Sequence, residues 1–276
     1  MTIGPRRAAG ALVLALALVG LPLSAQTASF SAEDVFEIEY ASDVQISPDG
    51  QTVAYVRTAM SIMRDRREGR LWLVNTDGSG HRKLSSEDRS ESSPRWSPDG
   101  SRIAFVAGSE EGSEIFVHWV ATGQTARLTQ LKRSPRGLAW SPDGTQIAFT
   151  MKVPESRMVL ATLPTKPAGA EWADPPVVET RVRHEADGSG VIEPGHDHIF
   201  VRPADGGSPR QVTRGDFQHG TPVWSPDGRS ILFSANREPG WELERQNSEV
   251  YRVTVADGIT VALTGRKGPD GDAAVS

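Results

Sequence analysis

The pentapeptide "WSPDG" at residues 96–100 recurs at residues 140–144 and 224–228, and a near copy, "ISPDG", occupies residues 46–50. Its residue types are those of a tight turn, because serine suits the first position, proline fixes φ at the second, and glycine adopts the conformation that side chains resist. A catalytic motif occurs once in a chain, whereas a structural motif occurs once in every repeat. The pentapeptide is therefore interpreted as a turn of a repeated scaffold.

The same strand pattern follows each copy of the turn. Six residues after each serine, a β-branched residue is followed two positions later by an aromatic one, in the groups Val53-Ala54-Tyr55, Ile103-Ala104-Phe105, Ile147-Ala148-Phe149 and Ile231-Leu232-Phe233. Residues two apart share one face of a β-strand. Each unit continues with a second apolar strand, a glycine-containing turn and a closing pair: Leu84-Ser85, Leu128-Thr129, Val212-Thr213 and Leu263-Thr264. One unit is therefore predicted to contain four strands.

The spacing of these units predicts the architecture. The units begin near Ser47, Ser97, Ser141 and Ser225, and four-stranded repeats of roughly 40–50 residues are typical of β-propeller blades. The sequence thus predicts an all-β fold, a β-propeller of four-stranded blades over residues 47–276. About four blades are expected, as an incomplete, open arc, because Ser276 falls where a fifth unit would begin and the chain is interpreted as truncated there.

The third unit is longer than the others. Its excess lies within residues 152–194, where several prolines interrupt any regular pattern. We interpret this segment as an insertion in one blade. A degenerate extra blade is the alternative, because Asp187-Gly188-Ser189-Gly190 repeats the pattern of Asp77-Gly78-Ser79-Gly80.

The N-terminal residues 1–28 have the layout of a secretory signal peptide. Arg6 and Arg7 precede an apolar run at residues 8–21, and small residues follow it. The run is short for a membrane span, so an uncleaved anchor is only the alternative. The sequence therefore predicts export to a periplasm or beyond, with no membrane attachment after cleavage.

A short lead-in, residues 29–46, precedes the first complete turn. Ser31 is expected to be the N-cap of a short helix, with Glu33 and Asp34 in its first turn.

The composition narrows the function classes. The chain has no cysteine, which excludes disulfides, thiolate metal sites and cysteine nucleophiles. Its net charge is −5, with Lys and Arg interleaved among Asp and Glu, so a nucleic-acid partner is not expected. No motif indicates a cofactor.

Two stretches carry a resemblance to a known family. The lead-in "SAEDVFEIEYASDVQISPDG" at residues 31–50 and the segment at residues 198–228 resemble the N-terminal propeller of prolyl oligopeptidase family serine peptidases, particularly the acylaminoacyl-peptidase and dipeptidyl-peptidase branches. The repeated turn is also similar to that of periplasmic TolB-like propellers, which are binding modules. The likeness covers almost all of the chain after the signal peptide.

The peptidase resemblance implies a Ser-Asp-His triad on a C-terminal α/β-hydrolase domain, with the propeller restricting access to short peptides. The nucleophile of such a domain lies in a Gly-x-Ser-x-Gly turn. No such motif occurs in the sequence, and the nearest approach, Gly206-Gly207-Ser208-Pro209-Arg210, lacks the second glycine. We therefore assign no catalytic residue and expect the hydrolase domain to be absent from this chain.

Two kinds of binding residue can still be considered. The dipeptidyl branch holds the amino terminus of its substrate with propeller glutamates, and Glu242 and Glu244 are the weak candidates for this role. His196 and His198 flank Asp197 in a pattern that metal ligands sometimes show, but no further cluster in the sequence supplies a third ligand. No metal site is therefore assigned, and a structural or solvated role is preferred for both histidines.

These observations lead to one functional hypothesis and its alternative. The chain is expected to be the N-terminal propeller of an exported serine peptidase, whose peptide substrates react in a domain outside this chain. The alternative is a non-catalytic, periplasmic TolB-like propeller that binds a protein partner. A propeller enzyme of the sugar or lyase type would need paired carboxylates or a histidine group, and the sequence shows no such constellation.

Overall fold

The computed structural model describes residues 30–85, 88–173, 176, 178–188, 190–244 and 246–275. The predicted signal peptide at residues 1–28 and the expected start of a fifth unit at Ser276 lie outside the described residues. Among the residues described, no helix is both long enough and apolar enough to cross a membrane.

Four antiparallel four-stranded sheets follow one another along the chain. Blade 1 comprises β1 to β4, at Glu39–Ile46, Thr52–Ser61, Arg66–Asn75 and Arg82–Lys83. Blade 2 comprises β5 to β8, at Glu91–Trp96, Arg102–Ser109, Gly112–Trp119 and Gln124–Arg127. Blade 3 begins with β9 and β10, at Arg136–Trp140 and Gln146–Pro154. After the hairpin of β11 and β12, at Glu185–Ala186 and Gly190–Val191, it ends with β13 and β14, at Gly195–Pro203 and Arg210–Gln211. Blade 4 comprises β15 to β18, at Val223–Trp224, Ser230–Ala235, Glu249–Thr254 and Thr260–Ala262.

The predicted fold class is confirmed, since the described residues form four separate four-stranded sheets and no closed sheet. Strands β10 and β13 pair without interruption from Gln146–Pro203 to Pro154–Gly195, so the intervening segment, called the insertion below, leaves blade 3 at the end of a hairpin. The strands in its described part are β11 and β12.

The lead-in contains a short 3₁₀ helix, Glu33–Glu37, before β1. Its N-cap position is occupied by Ala32, with no capping side chain. The expectation that Ser31 caps this helix was therefore wrong. Instead, the backbone N–H of Ser31 donates to Asp34 Oδ2 at 2.6 Å, so the carboxylate of the first turn reaches back to the chain before the helix.

The Ser-Pro-Asp-Gly turn is built in the same way in every blade. In blade 2, Ser97 Oγ donates to Asp99 Oδ1 at 2.6 Å and accepts from the backbone N–H of Arg102 at 2.9 Å. The bond from Ser97 Oγ, with the side-chain and backbone bonds from Ser101, lowers the pKa of Asp99 to about 2. Gly100 has φ of +70°, which only glycine adopts without strain. The turn is therefore a self-contained hydrogen-bonded unit.

The tryptophan before each turn joins its blade to the preceding one. In blades 2, 3 and 4 the indole N–H of this tryptophan donates to a backbone carbonyl of the preceding blade. In each case the carbonyl belongs to the residue two positions before the serine of that blade's turn. These bonds join Trp96 to Gln45 at 3.2 Å, Trp140 to Arg95 at 2.9 Å and Trp224 to Ala139 at 3.1 Å. The repeated pentapeptide thus serves both the turn inside a blade and the contact between blades.

Blades 2, 3 and 4 each also present an aromatic face to the blade before them. Phe105, Phe149 and Phe233 lie on these faces and are at most 1% exposed. In blade 1 the corresponding residue is Tyr55, which is half-buried, and Ile46 replaces the tryptophan and is 65% exposed. Burial of these apolar faces is the main stabilising contribution between blades.

The antiparallel order separates two ends of the arc. The Ser-Pro-Asp-Gly turns and the glycine-containing turns between third and fourth strands lie at one end. The hairpins between second and third strands, the insertion and the linkers between blades lie at the other, because strand direction alternates. This second end is called the hairpin end.

Candidate functional site

A cleft of about 720 Å³ opens at the hairpin end between blade 3 and blade 4. We call it the insertion cleft, because the insertion forms one of its walls. That wall comprises Arg181, Arg183, Ala186, Val191, Ile192 and Glu193. The blade 4 wall comprises Ser234, Ala235, Asn236, Trp241, Glu242 and Ser248. The floor comprises Lys152, Gly195, Asp197, Gln218, His219 and Gly220.

The floor is held by hydrogen bonds between β13 and the linker to blade 4. Gln218 Oε1 accepts from the backbone N–H of Asp197 at 2.9 Å, and Gln218 Nε2 donates to the carbonyl of Gly195 at 3.2 Å. The carbonyl of Asp197 accepts from the backbone N–H of His219 at 3.0 Å. Thr150 Oγ1 donates to the carbonyl of Gly220 at 3.0 Å. These bonds hold the linker against blade 3 and fix the shape of the floor.

His219 is held as a neutral imidazole. Its Nδ1 lies 2.7 Å from the carbonyl of Asp197, so Nδ1 carries the proton, and its Nε2 accepts from Arg237 Nη1 at 3.1 Å. The ring of His198 lies 4.9 Å away. Burial lowers the pKa of His219 to about 3, and the positive charge of Arg237 acts in the same direction. His219 is thus a structural acceptor for the half-buried Arg237.

Asp197 lies on the floor with only part of its carboxylate paired. Its Oδ2 accepts from Arg136, whereas its Oδ1 is buried and has no hydrogen-bond partner among the described residues. Asp197 also lines a smaller cavity of about 210 Å³ beside Arg136. A buried carboxylate oxygen without a donor is costly, so this oxygen calls for an N–H or O–H group from a ligand or from water.

The charges of the two walls differ. On the insertion wall, Arg181 pairs with Glu155 and Glu193 pairs with Arg133, so Arg183 is the cation there with no partner among the described residues. On the blade 4 wall, Glu242 is half-buried and likewise has no partner in the described part of the chain. The cleft therefore places an available guanidinium and an available carboxylate on different walls.

The two glutamates proposed from the sequence are separated by the structure. Glu242 lines the insertion cleft beside Trp241, whereas Glu244 is exposed and lines a different cavity with Leu243. The loop of blade 4 turns between them, with Asn236 Nδ2 donating to the carbonyl of Glu244. Glu242 and Glu244 thus line different cavities.

The two histidines considered as metal ligands have different surroundings. His198 Nδ1 lies 3.3 Å from Thr213 Oγ1, within blade 3. His196 belongs to a group with Glu155 and Asp216, whose ligand atoms all lie within 4.8 Å of one another. Sequence reasoning found no third ligand for His196, because Glu155 and Asp216 are distant in the chain and only the folding of the insertion and the linker brings them together.

The hydrogen bonds of His196 indicate a clasp instead of a metal centre. Its Nδ1 lies 2.7 Å from Glu155 Oε1, and its Nε2 lies 3.3 Å from Arg181 Nη2. With Nδ1 donating and Nε2 accepting, both contacts are favourable. A metal ion on Nδ1 would force a proton onto Nε2, facing the guanidinium N–H. The group therefore fastens the insertion to β13.

The segment nearest to a nucleophile turn lies far from this cleft. Gly206 and Gly207 have φ of +137° and +104° and connect β13 to β14, so Ser208 lies at the opposite end of blade 3 from the insertion cleft.

Comparisons with known proteins agree with this architecture. The model of the TolB beta propeller domain matches residues 50–189. An uncharacterized peptidase of Bacillus subtilis, YuxL, is 26% identical over 207 residues, which cover 75% of this chain and 31% of that protein. Dipeptidyl-peptidase 5 of Porphyromonas gingivalis is 25% identical over 235 residues, covering 79% of this chain and 33% of that protein.

A solved structure supports the same fold. The acylaminoacyl peptidase of Pyrococcus horikoshii aligns with a TM-score of 0.60 and 20% identity, covering 84% of this chain and 33% of that one. The chain thus spans about a third of the length of these relatives. It belongs to the TolB β-propeller domain family, and its propeller is related to those of peptidases of the prolyl oligopeptidase family.

Proposed function

We propose that this chain is the N-terminal propeller of an exported peptidase, and that it admits short peptides to a catalytic α/β-hydrolase domain outside the chain. The observation that carries the proposal is the similarity to peptidases over most of this chain but only about a third of their length. The hairpin end supports it, because the insertion cleft there is of a size that takes a small ligand. Glu242 is the candidate for contact with a peptide amino terminus.

Activity measurements test this proposal. Residues 1–276 alone are expected neither to hydrolyse peptidyl or acylaminoacyl reporter substrates nor to react with serine-directed fluorophosphonates, since no nucleophile turn is present. A polypeptide from the uninterrupted reading frame containing these residues is expected to do both. Labelling of a serine within residues 1–276, or a reading frame that supplies no hydrolase, would overturn the proposal.

Export is a separate expectation with its own test. If residues 1–28 are a signal peptide, the protein recovered from the periplasm or medium should begin near Gln26 to Ser29. N-terminal sequencing measures this directly. Intact Met1 on protein from the soluble cytoplasmic fraction would contradict export.

A TolB-like binding module is the second candidate, and the match to the TolB beta propeller domain favours it. Such a module would need no hydrolase domain and would form a stable complex with another protein of the cell envelope. Chemical cross-linking of the exported protein in intact cells distinguishes the two candidates. A single cross-linked envelope protein, with no peptidase activity in any product of the reading frame, would favour the binding module.

A further inference from the structure

The insertion lies outside the apolar core that holds the blades together. None of its described residues between 155 and 194 is buried, and none belongs to the hydrophobic clusters between blades. The β11–β12 hairpin packs against no other strand in the described part of the chain. Segments with few buried apolar contacts open more easily than the core of a fold. The position of the insertion therefore depends on polar contacts.

The first fastening point is the carboxylate of Glu155, at the start of the insertion. Its Oε1 accepts from His196 Nδ1 of β13 at 2.7 Å, and its other oxygen pairs with Arg181 on the returning segment. Arg181 also donates to the carbonyl of Gly195 at 3.3 Å. The side chain of Glu155 is 41% exposed. One accessible charge thus joins the outgoing and returning segments of the insertion to blade 3.

The second fastening point is Glu193, at the end of the insertion. Its carboxylate pairs with Arg133 of the linker between blades 2 and 3, and its carbonyl accepts from Lys152 Nζ at 3.1 Å. Among the described residues, the ion pairs of the insertion are internal or are made with blade 3 or this linker, and none is made with blade 4. Exposed ion pairs of this kind are weak and are screened by salt.

The junction with blade 3 allows the insertion to move as a unit. The insertion leaves β10 after Pro154 and returns at Gly195, which is paired with Pro154 at the end of the hairpin. Gly195 has φ of +137°, and a Cβ there would overlap the carbonyl oxygen of Val153. Hinge motions are absorbed by a few residues at the ends of elements, often small ones. Pro154 and Gly195 therefore form a narrow hinge.

We propose that the insertion is a flap over the insertion cleft, hinged at Pro154 and Gly195 and held closed by the ion pairs of Glu155 and Glu193. Loss or screening of these ion pairs opens the flap and widens the cleft, because the described part of the insertion has no anchor in the apolar core. Access to the cleft thus depends on ionic strength. This property is the same whether the chain serves a peptidase or a binding module.

Spin labels on opposite walls of the cleft test this proposal, because the chain has no cysteine of its own. Val191→Cys labels the flap and Leu243→Cys labels the loop of blade 4, and both side chains are exposed. Double electron–electron resonance then measures the distribution of distances between the labels. Glu155→Gln should raise the population of longer distances about threefold at low salt. Raising NaCl from about 0.05 M to about 1 M should lengthen the distances without this substitution.

Glu171→Gln is the matched control, because Glu171 is an exposed glutamate of the insertion with no partner among the described residues. It should leave the distances unchanged. A second label pair, Arg127→Cys with Leu243→Cys, reports movement between blades 2 and 4 and should not respond to salt. The proposal is overturned if either Glu155→Gln or high salt leaves the distances unchanged, if Glu171→Gln lengthens them equally, or if the second pair moves as much as the first.

Discussion

Replacing a turn glycine should lower the stability of the fold without altering any candidate site. Gly100 has φ of +70°, yet a Cβ built there would meet its nearest atom, Pro48 Cδ, only at 3.6 Å. The cost of a side chain is therefore backbone strain and not a clash. Gly100→Val is expected to lower the free energy of unfolding by about 1–3 kcal/mol, measured by urea denaturation.

Gly265 provides the comparison for this variant. It is exposed, its φ is not positive, and no atom lies within 4 Å of an added Cβ. Gly265→Val should change the unfolding free energy much less. Equal effects of the two substitutions would contradict the strain argument.

His219 should make the stability of the junction between blades 3 and 4 depend on pH. Its pKa is about 3 in the folded chain, against an ordinary value of 6.5. Below pH 6.5 the unfolded chain binds a proton that the folded chain does not, so stability is full above pH 6.5 and is lost as the pH falls towards 3. At pH 5 this loss amounts to about 2 kcal/mol.

The variant His219→Gln tests this dependence, because glutamine can also donate to the carbonyl of Asp197 and accept from Arg237. Its unfolding free energy should change less between pH 7.5 and pH 5 than that of the unmodified chain. His81→Gln, at an exposed histidine, should leave the pH dependence as it is. An identical pH profile for His219→Gln would refute the assignment.

At the scale of secondary-structure elements, the indole hydrogen bonds add a polar contact to the apolar packing between blades. Trp140 donates to the carbonyl of Arg95 at 2.9 Å, and Arg102 lies over its ring. Trp140→Phe keeps an aromatic ring but leaves that carbonyl without its donor. We expect a loss of about 1–3 kcal/mol, measured by thermal or urea unfolding.

Trp119 at the end of β7 is the control, since it is 36% exposed and its indole N–H has no partner among the described residues. Trp119→Phe should be nearly neutral. A neutral Trp140→Phe would mean that apolar burial alone joins the blades.

At the scale of the whole molecule, the first face of blade 1 is an end face of the arc that no described blade covers. Ile46 is 65% exposed and Val44 is 56% exposed, where the corresponding faces of later blades are buried. An exposed apolar face of this kind favours association. The chain alone is expected to self-associate as its concentration rises, and Ile46→Glu should reduce this, measured by sedimentation velocity.

Val159→Glu locates the contact. Val159 is 74% exposed on the insertion, away from the blade 1 face. If that substitution, and not Ile46→Glu, abolishes association, the insertion is the associating surface. A monodisperse unmodified chain at high concentration would contradict both.

The blades could be predicted from the sequence because their determinants are local. A turn such as residues 97–100 forms its hydrogen bonds within a few residues of the chain. The alternation of apolar and polar side chains around Phe105 gives its strand an apolar face, independently of distant contacts. Four repetitions then predict four sheets. The start of the short helix was predicted less well, because its N-cap position is Ala32 and not Ser31. The exact end of a helix depends on a single hydrogen bond, which the sequence pattern does not determine.

The insertion cleft was decided by tertiary structure alone. Arg183, Asp197 and Glu242 belong to three separate segments, and no spacing in the sequence relates them. Glu242 and Glu244 are close in sequence, yet a turn of the loop directs them to different cavities. Local hydrogen bonds and side-chain alternation act within one unit and are repeated, so the sequence determined the propeller. A cleft between two blades depends on contacts between distant segments that occur only once, so only the folded chain determined the site.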